Sequence, residues 1–557
     1  MDKKKIFKFV LLYLALIGVA FVAYYVTLPA LNAQSPGFWS FLCFLLLLFL
    51  WPVAGVRMKI EVLAKGEKKP EKAPLAKKNL ILLIAAVPLL VMIVGNIISS
   101  TFFCAKSYAS VISVQDAVFS EDLPETENVT NIALMDSDTA AIVGNRTLGS
   151  LSEVVSQYVI APSYTQINYH GTPKKVANLE YAGFFKWLGN RDAGIPGYVM
   201  VDPVNNTAEY CALSSPLRYS ESGLFGDDLL RRIRFDYPTK ILGTPRFELN
   251  EDGAPVYVVP CLTPRVMMFG ASDVTEVIIF DPTNGNSEIL SAENTPSWVD
   301  VVYDGDLAME KYNWKGTLSG GFWNSVIGNK DCKQTTDDYG YIVIGDDVWY
   351  FTGVTSVNSD RSNIGFIITN ARTGEYKFYP VIGAEEHSAM SAAQGEVQEK
   401  GYVASFPALI NVKGEATYIM VLKDAGGLVK LYAMVNVEQY NLVATGETQE
   451  AAKRAYVALL TAEGVLNEEL PPPAPDVATE TLTITLDAIT PVTANGETVL
   501  YLRGVTADGT TVLLKRPAAE DERLLFLKAG DGITVTATLT DTEGVYTLLT
   551  WQRNETP

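Results

Sequence analysis

Only two histidines occur among the 557 residues, and His387 directly follows two glutamates, so these residues are the first candidates for chemistry. Glu385, Glu386 and His387 could hold a metal ion or share acid/base work. A Ser-His-Asp hydrolase would need a serine beside His387 or His170, and the sequence lacks a GxSxG motif. Because the helix dipole favours carboxylates in a first helical turn, we expect this run to be a solvated helix start. A hydrolase site assembled from distant Asp or Glu side chains and His387 or His170 is the alternative.

Two acidic stretches could ligate calcium through oxygen atoms: residues 136–138 (DSD, with Asp136 and Asp138) and residues 281–285 (DPTNG). Neither matches the 12-residue EF-hand loop. Asp or Asn can open a turn by bonding the backbone two residues on, and Pro and Gly suit the positions that follow. Turn chemistry therefore explains both stretches. We expect no cofactor, with calcium as the alternative.

A glycine-rich stretch, GTLSGGFWN (316–324), does not match the phosphate loop GxxxxGK[ST]. Its aromatic residues, together with those of YAGFFKW (181–187), could instead form a surface that binds a protein partner. Packing in the core is the competing explanation. The candidate partner-surface residues are Phe184, Phe185, Trp187, Phe322 and Trp323.

The five cysteines do not form the pattern of a disulfide framework. Cys43 lies in the second apolar run, and Cys104 lies at the membrane edge just after the third. The remaining three, Cys211, Cys261 and Cys332, are widely spaced. We expect free cysteines, with a Cys211–Cys261 bond as the alternative. Without CxxC and with two histidines, a Cys/His metal centre is not expected.

The charge of the chain is distributed very unevenly. Residues 1–99 carry twelve Lys or Arg and four Asp or Glu, a net charge of +8, although the whole chain carries −19. Residues 100–557 therefore carry −27. We expect a membrane anchor at 1–105, followed by an acidic body.

Three apolar runs without charged residues, at about 9–30, 38–56 and 79–99, are each near the ~20 residues that span a bilayer. Basic residues precede the first run and fill the 57–78 loop, and basic loops remain cytoplasmic. We therefore expect a cytoplasmic N-terminus and an extracytoplasmic body after about residue 100. A cleaved signal peptide is the alternative for the first run.

The body repeats one pattern: a β-rich run, a turn opened by Asp or Asn, and a second β-rich run. Turns start at Asp202, Asp281, Asn370 and Asn436, at offsets of 79, 89 and 66 residues. A further predicted hairpin precedes each of the last three of these turns. Helical patterns follow at 226–235, 385–398 and 448–464, and a weaker one lies at 296–312. Residues 166–465 thus predict antiparallel four-strand-plus-helix modules, and the unequal offsets argue against a propeller.

Three segments flank the repeats. Residues 106–165 include a predicted strand and helix (131–160) that could cap the array. Residues 466–480 are proline-rich and predict a linker. Residues 481–557 predict five strands, with a short charged segment (518–523) between the third and the fourth. This is the order of an OB-like β-barrel, and an SH3-like barrel is the alternative. Six basic against ten acidic residues in this barrel argue against nucleic acid as a partner.

The repeats GYVMVDPVNNTAEY (197–210) and GFIITNARTGEYKF (365–378) resemble PepSY-type modules, which are small α+β domains of bacterial envelope and secreted proteins. The layout of the whole chain is similar to a group of membrane proteins of Gram-positive bacteria. The resemblance implies an α+β fold, a bacterial plasma membrane and control of an envelope enzyme, and it transfers no catalytic residue.

The sequence therefore favours a membrane-anchored extracytoplasmic binding or scaffold protein of a bacterial envelope, with a protein partner in that envelope. An envelope hydrolase and a subunit of a larger membrane complex are the alternatives. The apolar runs hold few polar groups, Asn79 and Asn96 near their ends, which disfavours transport.

Overall fold

The structure is a computed structural model that describes residues 3–50, 75–126, 129, 132–357, 359–466, 479–494, 497–506, 509–517, 524, 527–539 and 545–554. Residues 51–56 of the second apolar run, most of the 57–78 loop, nearly all of the 466–480 linker and the charged segment 518–523 lie outside the described residues. Contacts divide the chain into two units, Met1–Leu459 and Leu460–Pro557.

The first unit begins with four helices: α1 (Lys3–Thr27), α2 (Pro36–Leu50), α3 (Leu75–Ile98) and α4 (Thr101–Ala109). In the described part of the chain, one helix is long and apolar enough to cross a membrane, at Phe9–Thr27. A second qualifies if Leu83–Ile98 and Thr101–Ala109, which are bent by 56°, count as one span. A signal sequence would share the properties of the first helix.

Four sheets follow, all antiparallel except that the two-residue strand β1 (Gln115–Asp116) joins the third in parallel. The first sheet contains β2 (Tyr158–Ile160), β3 (Thr165–Tyr169), β4 (Thr172–Tyr181), β5 (Ile195–Asp202) and β6 (Thr207–Leu217). The second contains β7 (Ile241–Leu242), β8 (Arg246–Leu249), β9 (Pro255–Val266), β10 (Gly270–Phe280) and β11 (Ser287–Ser291). The third contains β12 (Lys333–Thr335), β13 (Gly340–Ile344), β14 (Asp347–Ser356), β15 (Ser359–Asn370), β16 (Tyr376–Tyr379) and β17 (Gly383–Ala384). The fourth contains β18 (Val403–Ala404), β19 (Ala408–Val412), β20 (Glu415–Lys423), β21 (Val429–Asn436) and β22 (Val443–Gly446).

Each sheet contains a four-stranded unit whose first strand is broken in two, and the third sheet adds the short strands β1 and β17. In the first sheet, β2 pairs with the C-terminal half of β4 and β3 with its N-terminal half. The pairs β7/β8 on β9, β12/β13 on β14 and β18/β19 on β20 repeat this arrangement. The predicted hairpins are therefore present, and the break in the first strand is a feature that the pattern of residues did not reveal.

Helices separate or flank the sheets: α5 (Phe119–Asp122), α6 (Ser137–Gly149), α7 (Ser152–Val155), α8 (Phe184–Asn190), α9 (Leu229–Asp236), α10 (Gly305–Leu318), α11 (Glu386–Glu396) and α12 (Gln449–Ala462). The predicted helices at 226–235, 385–398 and 448–464 are present, and α10 replaces the weaker one at 296–312. The strand expected before α6 is wrong, because residues 132–136 lie outside any strand and Asp136 instead caps α6 by accepting the N–H of Thr139 at 2.8 Å.

Contacts link each of the four sheets or its flanking segments to the next, and link the fourth to the segment before the first; we call this set of sheets the ring. The first and second share an apolar core containing Val199 and Val259, and the third and fourth share one containing Phe366 and Met420. Between the second and third sheets, the N–H groups of residues 302 and 303 donate to the carbonyl of residue 371. The fourth closes on the first through an ion pair between β20 and the start of α6, Lys423 with Asp136.

Four-stranded units follow one another along the chain at unequal spacing. The loops and helices between the sheets differ in length, and they absorb the inequality.

The second unit contains a closed five-stranded barrel. Its strands are β23 (Thr479–Ala494), β24 (Glu497–Thr506), β25 (Thr511–Pro517), β26 (Gly532–Leu539) and β27 (Val545–Arg553), in the order β23-β24-β25-β27-β26. β25 and β27 are parallel and the other neighbours antiparallel. Side chains such as Leu502, Leu514 and Val535 fill its interior.

Candidate functional site

The first strands of three sheets meet at a cavity of about 270 Å³, which we call the central cavity. β3, β13 and β19 each contribute to its wall, and the segment before and at the start of α6 completes it. The residues that matter chemically are Asp136, Asp138, Gln166, Lys175, Asp338, Tyr339 and Tyr341.

Two of these residues are placed by strand pairing. Gln166 of β3 stands directly opposite Lys175 of β4 in the antiparallel ladder. Directly opposed residues project from the same face, with Cβ atoms about 5 Å apart. Both residues are 3% exposed, so the ladder brings two polar side chains together in the interior.

Lys175 has no ion pair or hydrogen bond with any of the described residues. Its ammonium lies 5.1 Å from the centre of the aromatic ring of Tyr341, which belongs to β13 of the third sheet. Burial lowers the pKa of Lys175 to about 8, against the attraction of Asp136. A buried ammonium without a partner is costly, and this cost points to a group that is absent from the protein itself.

Gln166 presents a second unused donor. Its Nε2 is buried and has no hydrogen-bond partner. Buried polar atoms are nearly always paired, so an orphan requires an explanation. Two neighbouring donors without acceptors form a site for a ligand that supplies acceptor oxygens.

Carboxylates surround the outer part of the same cavity. Asp138 and Asp338 are both exposed. Asp136 already has partners within the protein, Lys423 and Thr139. Burial acts to raise the pKa of Asp136, but hydrogen bonds from these two residues outweigh this effect and lower the pKa. The cavity therefore has one interior cation and an acidic outer part.

A second cavity of about 270 Å³ adjoins the first, sharing Gln166 and Tyr341 with it. Apolar side chains such as Ile342, Ile344 and Leu409 dominate its wall. Together, the two cavities suit a ligand in which a group with acceptor oxygens is attached to an apolar portion.

Two buried carboxyl groups lie elsewhere in the ring. Glu248 is fully buried, and its carboxylate accepts the backbone N–H groups of Asp300 and Val301 at 2.9 and 3.0 Å. Burial raises the pKa of Glu248, and burial raises that of Asp300 to about 7. Asp300 also accepts the N–H of Asn168 at 3.0 Å, so this pair joins the first sheet to the segment after the second.

The histidines are not part of the central cavity. His387 is exposed, with its ring 6.3 Å from that of Phe406. His170 is exposed in the β3–β4 turn and borders a separate hollow of about 130 Å³ with Asp300 and Asp346. No serine hydroxyl of the described residues is hydrogen-bonded to either imidazole.

The solvated helix start expected at Glu385–His387 is wrong for both glutamates. Glu385 caps α11 by accepting the N–H groups of His387 and Ser388 at 2.9 and 2.8 Å. Glu386 is fully buried and accepts the N–H of Gly353 at 2.6 Å. Burial raises the pKa of Glu386 to about 7. The two carboxyl groups hold the helix in place.

The five candidate partner-surface residues divide into two groups. Phe184 and Phe185 are exposed on α8, and Trp323 is exposed after α10. Trp187 is 1% exposed in the core of the first sheet, so its place in a surface is wrong, because its ring packs inward against that core. Phe322 is half-buried against Phe102 of α4, with ring centres 5.0 Å apart.

Turn chemistry accounts for Asp281. Its carboxylate accepts the N–H and hydroxyl of Thr283 at 2.8 and 2.6 Å and the amide of Asn284 at 2.5 Å, and Gly285 has a φ of 81°. Among the described residues, no group of three His, Cys, Asp or Glu could hold a metal ion. All five cysteines are free.

Comparisons with known proteins identify no family. No family model matches the sequence, and no curated protein matches it. A solved structure of a levansucrase mutant from B. megaterium aligns with a TM-score of 0.17 and 9% identity, over 77% of this chain and 97% of that chain. A TM-score of this size carries no argument about fold or activity.

Proposed function

We propose that the chain is a membrane-anchored extracytoplasmic binding protein whose ring of sheets recognises a small organic carboxylate in the central cavity. The observation that carries the proposal is a pair of buried donors facing one cavity: Lys175, which forms no ion pair or hydrogen bond with the described residues, and Gln166, whose Nε2 has no hydrogen-bond partner. A ligand carboxylate would accept from both and supply the missing counter-charge.

The charges of the wall favour a carboxylate over a phosphate. Lys175 is the cation of this wall, and the exposed carboxylates of Asp138 and Asp338 would repel a dianion. The adjoining apolar cavity would hold a short hydrocarbon portion, each buried CH₂ of which contributes about 0.8 kcal/mol.

Calorimetric titration of the purified full chain with hexanoate, acetate, hexylamine and inorganic phosphate tests this proposal. We expect hexanoate to bind more tightly than acetate, and the amine and phosphate to show no saturable binding. Lys175→Met and Gln166→Leu should each weaken hexanoate binding, the former about 10- to 100-fold for a lost charged hydrogen bond. Lys174→Met is the matched control, because Lys174 pairs with Asp202 instead. Unchanged hexanoate affinity in Lys175→Met would refute the site.

The membrane part of the proposal comprises three spans, with the N-terminus in the cytoplasm. The apolar helices α1, α2 and α3 and the basic residues before and between them support it. A protease site inserted into 466–480 should be cut by protease added to intact cells, whereas one inserted into 57–78 should be protected. Cleavage at both sites, or at the inner site alone, would overturn the orientation.

A second candidate is a protein-binding or scaffold role that controls an envelope enzyme, as the PepSY-like resemblance of the repeats implies. The exposed aromatic residues Phe184, Phe185 and Trp323 favour an external contact of some kind. Crosslinking in cells followed by purification should recover an envelope partner. Recovery of this chain alone would count against that role and against a larger membrane complex.

We also propose that the second unit is an OB-like barrel. The closed order β23-β24-β25-β27-β26, with the third and fifth strands parallel, supports this assignment. The acidic excess of this unit argues against nucleic acid as its ligand.

A further inference from the structure

Several exposed apolar side chains belong to segments that contact the ends of α1 and α3 or lie next to such segments. We call this set the apolar rim. Its members come from α8, from the turns before α9 and between β9 and β10, and from the segment after α10: Phe184, Phe185, Phe225, Met267, Trp323 and Ile327.

The first part of the rim lies beside the end of α1. The guanidinium of Arg231 stacks on the ring of Tyr25 at 4.2 Å and donates to its carbonyl oxygen at 3.2 Å. The same guanidinium donates to the carbonyl oxygen of Phe225 at 2.7 Å. Phe225 in turn contacts Trp187, which contacts Phe184, with ring centres 5.7 and 5.9 Å apart.

The second part of the rim lies beside the end of α3. The hydroxyl oxygen of Ser99 accepts the N–H groups of Met268 and Phe269, both at 3.1 Å. This contact holds the β9–β10 turn, with Met267 at its exposed tip, against the helix end. Phe102, three residues further on, has its ring 5.9 Å from that of Trp323.

Exposure of the rim is high for side chains of this kind. Phe185 is 82% exposed, Met267 65% and Trp323 64%. Large exposed apolar side chains collected on one face mark a membrane or a protein interaction site. Aromatic side chains are enriched where a membrane protein crosses the lipid–water interface.

We propose that the apolar rim inserts into the interfacial region of the outer leaflet from which the chain's own helices emerge. Continuity with the ends of α1 and α3 selects the lipid surface as the occupant, because any bilayer crossed by those helices lies directly against these side chains. This inference rests on the proposed membrane anchor. It assigns Phe184, Phe185 and Trp323 to lipid, whereas the second candidate function assigns them to a protein.

Photocrosslinking of the full chain in vesicles of phosphatidylcholine and phosphatidylglycerol tests the proposal. A benzophenone amino acid replaces Phe185 or Met267, and mass spectrometry identifies what it captures on illumination. The control carries the same benzophenone group at Ile382, which is 70% exposed and precedes Gly383, a residue packed against Val437 after β21. We expect the yield of lipid adducts at Phe185 and Met267 to be several-fold above the yield at Ile382. All three positions are exposed, so the replacements leave the core unchanged.

The possible failures are distinguishable. Lipid capture at Phe185 no greater than at Ile382, or capture of a second copy of the chain in place of lipid, overturns the rim proposal alone. If the wild-type chain does not float with the vesicles after an alkaline wash, the proposed membrane anchor is refuted. The membrane part of the proposed function is then refuted as well.

Discussion

Lys174 and Lys175 are neighbours in β4, yet their side chains lie on opposite faces of the strand in different surroundings. The Lys174 ammonium pairs with Asp202 at 2.8 Å, whereas Lys175 lies in the interior without an ion pair or hydrogen bond to the described residues. Alternation along a strand sends successive side chains to opposite faces. One face of β4 therefore carries an ordinary ion pair, and the other carries a cation that costs the folded protein stability.

Lys175→Met should stabilise the first unit at neutral pH. The folded-state pKa of about 8 lies below the ordinary 10.5, so below pH 8 both states are protonated and the folded state bears the full cost of the buried charge. We expect the variant to raise the free energy of unfolding by about 1–3 kcal/mol at pH 7. The gain should shrink as pH rises from 8 towards 10.5, because the wild-type folded state loses the proton first.

Thermal and chemical unfolding across pH 6–10 measure this effect. Lys174→Met, which breaks the pair with Asp202, should give a small loss instead of a gain. A Lys175→Met variant less stable than wild type at pH 7 would show that the ammonium has a stabilising partner, and would remove the argument for a ligand.

Glu386→Gln should flatten the dependence of stability on pH between about 4.5 and 7. Burial raises the pKa of Glu386 to about 7, so in this window the unfolded chain releases a proton that the folded chain retains. Wild-type stability consequently falls as pH rises through the window. The Gln oxygen can still accept the Gly353 N–H. Above pH 7 the variant should therefore be more stable by about 1–3 kcal/mol.

The adjacent residue provides the control for this experiment. Glu385→Ala removes the carboxylate that caps α11 by accepting the N–H groups of His387 and Ser388. We expect it to lower stability by about 0.5–2 kcal/mol, as other lost caps do. Unfolding curves at pH 5 and pH 8 compare both variants, and a Glu386→Gln curve parallel to that of wild type would contradict the raised pKa.

The barrel of the second unit should unfold separately from the ring. Leu514 is fully buried among the strands of the barrel, and Leu514→Ala should cost about 2–5 kcal/mol there. Calorimetry should show one transition lowered and the transition of the first unit unchanged. Thr483→Ala, on an exposed position of β23, should stay within about 0.5 kcal/mol. Equal shifts of all transitions in Leu514→Ala would show that the two units unfold together.

Local features were predictable from the sequence where a turn or a cap fixes them. The hairpins around Asp202, Asp281 and Asn370 follow from residues that bond their own backbone within three positions. The helices α9 and α11 likewise begin at capping acids, Asp228 and Glu385. Such signals act over a few residues, so one sequence contains them completely.

The central cavity was not predictable in the same way, because it depends on contacts between distant segments. Lys175 meets Gln166 across a hairpin and Tyr341 of the third sheet, and no spacing in the sequence encodes the second contact. One local signal existed. Two adjacent lysines within a β-rich run point to opposite faces of the strand, so one of them turns inward wherever a face of the sheet is covered.

Asp281→Ala should destabilise the β10–β11 turn equally with and without calcium. The carboxylate accepts the N–H and hydroxyl of Thr283 and the amide of Asn284, so its loss should cost about 1–2 kcal/mol through the turn alone. Asp281→Asn is the matched variant, because Asn370 opens the equivalent turn of the third sheet with an amide oxygen at 2.9 and 2.8 Å from two N–H groups. We expect it to retain most of the stability. Thermal unfolding in a calcium buffer and in a chelator measures both variants. If calcium bound at Asp281, it would stabilise the wild type alone, by mass action, and both variants would lose that increment.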